Sequence, residues 1–197
     1  MLKIRRRAVA GQQPTTQTQE NTASPRAEQQ SAPEFLHRLQ IGDEEAWSQL
    51  TTEWSPRLYR YLRGNLPSPE DVEDVLSETM IATVQAIKRF DGKVAISTFI
   101  YSIANRKVAD FWRRRKDVHD LPETVTTSGP DSASLEFREA LAQVPEEARQ
   151  ALLLRYHMGM SVSEVAEAVG RSYKATESLL SRGRKHLQQA LANANAL

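Results

Sequence analysis

The 197-residue sequence contains no cysteine. That excludes disulfides and thiolate metal sites outright, and it suits a reducing compartment without requiring one. The four histidines, His37, His119, His157 and His186, are scattered, and no pair has ligand spacing on a helix. Neither a catalytic metal nor any other cofactor is expected. The eight glycines are isolated from one another, which leaves no phosphate-cradling loop and no dinucleotide fingerprint. Long apolar runs are also missing. The longest weakly polar stretch, Ala95–Ala104, is too short to span a bilayer. The basic start, Met1–Ala10, lacks the apolar core of a secretory signal. A cytoplasmic chain with no membrane insertion is therefore expected.

Charge of one sign is not in excess either: 26 Lys and Arg stand against 25 Asp and Glu, a formal net charge of +1. The acidic and basic blocks lie far apart in sequence, however, so local patches rather than the total decide whether nucleic acid is a partner.

What is present is helical periodicity. Residues 1–33 are rich in Gln, Thr, Ser, Pro and Ala with almost no large apolar side chain after Ile4. Such a segment buries too little surface to offset chain entropy, and a disordered tail is expected. From Phe35, apolar residues recur at helical spacing through Leu39, Ala46, Trp47 and Leu50, with a break at Gly42–Asp43. Leu58, Tyr61, Leu62 and Leu66 predict a second helix after Pro56. Ser68-Pro69-Glu70-Asp71 starts a third, with a capping serine, a proline in the first turn and acids against the positive helix end. A fourth is expected from about Ser97 to Lys116. Residues 117–133 then lose the periodicity and gain Pro, Gly, Ser and Thr, the composition of a linker. Beyond it, Leu135–Ala142, a helix opened by Pro145-Glu146-Glu147, and two capped by Ser161 and Ser172 complete the chain. No β pattern occurs. The expected fold is all-α, with two small helical domains, 34–116 and 134–197, joined by a flexible linker at 117–133.

Ser161–Arg182 reads as a helix-turn-helix. Ala166 supplies the small residue where two short helices cross, and Gly170 the turn residue that tolerates positive φ. The start and outward face of the second helix then present Arg171, Ser172, Tyr173, Lys174, Glu177, Ser178, Ser181 and Arg182, a mixture of base-edge readers and phosphate binders. An ordinary helical hairpin with a solvated face is the plainer account. A second basic site holds Arg106, Lys107 and Arg113–Lys116 on a helix that also bears Tyr101, Phe111 and Trp112. Aromatics among cations suit unstacked single-stranded bases; a solvated, dipole-stabilised helix end would look the same. Asp71, Asp74 and Glu78 form an acidic stripe at i, i+3 and i+7. No nucleophile, histidine or phosphate-binding loop accompanies them, so they are either solvated or docked on a basic partner, and a non-enzyme is expected.

Taken together, residues 34–191 resemble the extracytoplasmic-function (ECF) sigma factors of bacterial RNA polymerase. Asp71–Met80 is similar to that family's acidic region-two helix, and the resemblance implies that Asp71, Asp74 and Glu78 contact the β′ clamp helices. Phe90–Gly92 through Arg115 resembles the part that melts and reads the −10 element. It implies contacts to the non-template strand by Asn105, Arg106, Lys107, Arg113 and Arg114, beside Tyr101 and Trp112. Leu152–Tyr156 and the helix-turn-helix resemble region four, which reads the −35 element. The implied partners are core polymerase, through the β′ clamp and the β flap, double- and single-stranded promoter DNA, and an anti-sigma factor. The chain departs from the usual family pattern at Lys93–Ile96, at Arg106, and at Ala175, Glu177 and Leu179, so its promoter sequence does not follow from the resemblance. A stand-alone helix-turn-helix regulator and a carboxylate-metal nuclease are the alternatives.

Overall fold

The computed structural model describes residues 32–118 and 135–194. Residues 1–31 of the expected tail and most of the expected linker lie outside that range, while residues 32 and 33 already belong to the first helix. Among the described residues the structure is helical throughout: α1 (Ala32–Ile41), α2 (Glu44–Arg63), α3 (Pro69–Ile87), α4 (Ile96–Val118), α5 (Leu135–Ala142), α6 (Glu146–Leu152), a π-helical turn (Leu153–His157), α7 (Val162–Val169) and α8 (Tyr173–Ala194).

The first four helices share a core. Phe35 and Leu39 from α1 meet Ala46, Leu50, Trp54, Leu58, Tyr61 and Leu62 from α2, all buried. Asp43 caps α2 by accepting from the Ala46 amide at 2.9 Å and also pairs with Arg38 at 3.1 Å. The sequence predicts a new helix after Pro56, but α2 runs straight through it. The reason is packing: the stripe from Ala46 to Leu62 keeps its register across the proline, whose own ring is exposed. An interior proline costs about 3 kcal/mol, whereas each large apolar side chain on the stripe contributes roughly 1.5–3 kcal/mol on burial.

Helix α3 starts as its sequence dictates, with the Asp71 amide donating to Ser68 Oγ at 3.1 Å and Pro69 in the first turn. Its buried stripe is Val72, Val75, Thr79, Thr83 and Ile87. The two threonines tolerate full burial because their hydroxyls donate to the carbonyls of Val75 and Thr79, at 2.7 and 2.8 Å. Ile100, Ile103, Ala104 and Val108 bring α4 onto this layer, and Phe90 stacks on Phe99 at 4.2 Å to close the loop between α3 and α4.

The second set, α5–α8, packs around Leu152, Leu154, Val165, Leu179 and Leu180. The sequence expects one helix opened by Pro145 and carrying Tyr156; the structure widens its last turn into a π turn, in which the Met158 amide reaches back to Leu153 O at 2.9 Å. The extra residue lets Leu154 stay in the core while Leu153 packs against Gly64, the residue that ends α2. A Cβ at Gly64 would stand 2.7 Å from Leu153 Cδ1, so a larger residue there would push the end of that side chain aside. The two sets therefore touch. Tyr101 donates its hydroxyl to the Met158 sulfur at 2.9 Å. Arg149 of α6 donates to Asn65 O at 3.4 Å and lies over the Trp112 ring at 5.6 Å.

Candidate nucleic-acid interface

The helix-turn-helix is built by caps. Ser161 and Glu164 form a reciprocal capping box at the start of α7, with bonds of 3.2 and 2.7 Å. Gly170 ends that helix with φ 67° and ψ 36°, the left-handed conformation the sequence calls for, and the Arg171 amide bonds Ala166 O at 3.0 Å. Ser172 then accepts from the Ala175 amide at 3.3 Å and starts α8. With Thr176, Leu179, Leu180 and Gly183 turned inward, Tyr173, Lys174, Glu177, Ser178, Ser181 and Arg182 are all exposed on the opposite face. Arg171 is partly occupied: it holds the Glu147 carboxylate at 2.6 Å.

On α4 the expected residues fall on three neighbouring stripes, each repeating every seventh residue. Asn105 and Trp112 face the end of α2: Asn105 accepts from the Tyr61 hydroxyl at 3.2 Å, and Trp112 Nε1 donates to Asn65 O at 3.1 Å. Arg106 and Arg113 are exposed, and Arg113 pairs with Asp110 at 2.6 Å. Lys107 and Arg114 face α3. Tyr101 corrects the sequence expectation. It is only 4% exposed, with its ring edge-on to Trp54 and Tyr61 at 5.6 and 5.5 Å, so in this arrangement it is core rather than a surface for bases. Burial pushes its phenol up to about 12, which keeps the hydroxyl protonated and donating.

The acidic stripe and the third basic stripe meet across a cleft of about 500 Å³ lined by Asp71, Asp74, Glu78, Phe111, Arg114 and Arg115. Glu78 receives Lys107 Nζ at 3.1 Å on one carboxylate oxygen and Arg114 Nη2 at 3.5 Å on the other. The Lys107 hydrogen bond above all, then the charges of Lys107 and Arg114, hold the Glu78 carboxyl below its usual range. Asp71, bonded by the Ser68 hydroxyl at 2.7 Å, also faces Arg115 at 3.7 Å, while Asp74 is exposed. Among the described residues no group of three His, Cys, Asp or Glu could hold a metal ion, and no helix is long and apolar enough to cross a membrane.

Residues 50–118 match the family model for Sigma-70 region 2, and residues 134–187 match that for Sigma-70 region 4. The sequence is 30% identical to the RNA polymerase sigma factor NccH of Alcaligenes xylosoxydans xylosoxydans, over 80% of this chain and 92% of that one. The chain belongs to the ECF sigma factor family. The ECF sigma factor SigF of Caulobacter vibrioides is 29% identical over 78% of this chain and 90% of its own. The fold is that of CnrH, solved in complex with the cytosolic domain of CnrY (TM-score 0.66, 22% identity, 82% of this chain and 97% of that one). It is also that of RpoE from Bartonella quintana, solved with the anti-sigma factor NepR (TM-score 0.64, 20% identity, 74% and 96%). The protein is thus an alternative sigma factor, a subunit that gives RNA polymerase its promoter, and core polymerase and promoter DNA are its partners.

Three features of this sigma factor escape sequence reasoning. Arg149 is a buried guanidinium, 5% exposed, and desolvation lowers its proton affinity. Nothing in the local pattern around Pro145 announces a cation that bridges to Asn65 and Trp112. Ile81, 59% exposed, and Val84 extend the outward face of α3 beyond Asp74. They could have been found: both are apolar yet lie off the register of the buried stripe. The pairing of Glu78 with Lys107 and Arg114 joins two stripes that the sequence treats separately.

Proposed function

We propose that the α3 face, with Asp71, Asp74 and Glu78 at one end and Ile81 and Val84 at the other, docks on the β′ clamp of core polymerase. Charges steer such an encounter and exposed apolar side chains supply burial. Helix α4 then takes the non-template strand of the −10 element through Asn105, Arg106, Lys107, Trp112, Arg113 and Arg114. Helix α8 enters the major groove of the −35 element with Tyr173, Lys174, Glu177, Ser178, Ser181 and Arg182, and Arg171 and Ser172 lie at its edge. An apolar groove of about 450 Å³, lined by Phe137, Leu141, Leu152, Tyr156 and Leu187, offers a seat for a second polymerase element such as the β flap. Residues 34–116 and 134–197 act as two domains tethered by the linker, so two weak DNA contacts combine through effective concentration. The chain performs no catalytic step of its own. Strand opening is driven by capture of unstacked bases, in the cytoplasm where polymerase works, and an anti-sigma factor restrains the protein there.

The observation that carries this reading is the placing of an acidic face and a cation-and-aromatic face on adjacent packed helices of one chain, with a capped helix-turn-helix beyond. The test is run-off transcription with bacterial core polymerase on a promoter-enriched genomic library, comparing wild type with Asp74→Ala/Glu78→Ala. Discrete transcripts that weaken at least tenfold in the double variant are expected. A wild type that binds duplex DNA without ever directing initiation would instead make the chain a stand-alone regulator.

A further inference from the structure

The third stripe of α4 poses a problem for DNA binding. Lys107 and Arg114 are the cations closest to α3, and both are engaged by a single carboxylate, one on each oxygen of Glu78. Phosphate must compete with that carboxylate for them. Glu78 in turn belongs to the face assigned above to polymerase, and the present inference rests on that assignment and on that of α4 to DNA. We propose that Glu78 is a charge switch shared by the two surfaces. In the free chain it neutralises Lys107 and Arg114; a cation of the polymerase clamp that takes the Glu78 carboxylate releases both for the promoter backbone.

The geometry favours exchange over a fixed structural bridge. The side chains of Glu78 and Arg114 are 38% and 60% exposed, so a docking partner reaches the pair without unfolding anything. Exposed pairs of this kind hold weakly, which lets a better-placed cation displace them. The neighbouring Asp71–Arg115 pair lines the same cleft. Because coupling is reciprocal, promoter capture of Lys107 and Arg114 also leaves Glu78 free to grip polymerase more firmly. The free sigma factor accordingly has a muted strand-binding face, and assembly with polymerase unmasks it.

The test uses the full chain without polymerase and a fluorescently labelled single-stranded oligonucleotide, titrated by anisotropy across a range of salt concentrations. Four proteins are compared: wild type, Glu78→Gln, Glu73→Gln and the triple variant Glu78→Gln/Lys107→Ala/Arg114→Ala. Glu73 is an exposed acid on the same helix, so its variant controls for net charge alone. Glu78→Gln is expected to bind roughly three- to tenfold tighter than wild type, with a salt slope steeper by about 0.7 for each cation released. Glu73→Gln is expected to stay near wild type. A Glu78→Gln affinity equal to that of wild type, or a gain matched by Glu73→Gln, overturns the switch. Failure of the underlying assignments shows differently. If Glu78→Gln/Lys107→Ala/Arg114→Ala binds the strand as tightly as Glu78→Gln does, α4 is not the strand site. If Glu78→Gln binds core polymerase as wild type does in a separate pull-down, Glu78 is not a docking residue.

Discussion

The two basic faces of this protein are held in opposite states. On α8 the outward residues from Tyr173 to Arg182 stand clear of the rest of the chain, and Arg171, at the edge, is the member engaged in an ion pair. On α4 almost every expected contact already has an internal partner. Lys107 and Arg114 hold Glu78, Arg113 holds Asp110, Trp112 is bonded to Asn65 O and covered by Arg149, and Asn105 is bonded by Tyr61. The difference matches the two DNA states they are proposed to meet. A face that reads intact duplex can be rigid and ready before it arrives. One that captures an opened strand is engaged only after melting, and internal partners keep it quiet until then.

Substitutions on α8 should give the largest effect and break the comparison from the open side. Lys174→Ala/Arg182→Ala is expected to weaken duplex binding by the polymerase–sigma complex ten- to a hundredfold, on the order of 1.4–2.7 kcal/mol, and to reduce the salt slope by about 0.9 per cation. Strand capture by α4 should be untouched, as shown by retained binding to a pre-melted promoter. Trp112→Ala probes the other side. Loss of a stacked base costs roughly 1–3 kcal/mol, so open-complex formation followed by permanganate reactivity should fall while closed-complex binding persists; Trp112→Phe should recover part of it. A Trp112→Ala variant that opened promoters normally would leave this ring with only its role beneath Arg149.

The smallest expected effect is in pH. Glu78 titrates below its usual 4.5 because Lys107 and Arg114 favour the carboxylate. A depressed carboxyl contributes stability above the unfolded value and loses it as pH falls through the folded one. The urea midpoints of wild type and Glu78→Gln should therefore converge on acidification below about pH 4.5. The difference at neutral pH should stay under about 1 kcal/mol, since the pair is solvent-screened.

Much of the architecture is legible in the chain because its signals are local. Ser68, Ser161 and Ser172 cap the helices they were expected to cap, and Gly170 takes the left-handed turn. The apolar stripe of α3 is visible at three- and four-residue spacing. Continuity through Pro56 was not, because a local rule forbids it and only the packing of the whole stripe overrides it. The ion pairs were invisible for another reason. Lys107 and Glu78 are 29 residues apart and Arg149 and Asn65 are 84 apart, and no periodicity encodes which distant partners a fold will bring together. The burial of Tyr101 was not legible because an aromatic on a cation-bearing helix looks the same in sequence whether its ring faces outward or, as here, packs on Trp54.

The π turn at Leu153–His157 carries a lesson about insertions and deletions. A residue in an α-helix advances the chain by about 100°, so the widened turn acts as a phase shifter between α6 and everything that follows. Removing one residue there would return the turn to ordinary α geometry and shift Leu153 off Gly64 and Leu154 out of its place in the core. In descendants of this sequence, a change in length at that turn would disturb the seam between the two helical sets while leaving every residue on the outward face of α8 unchanged.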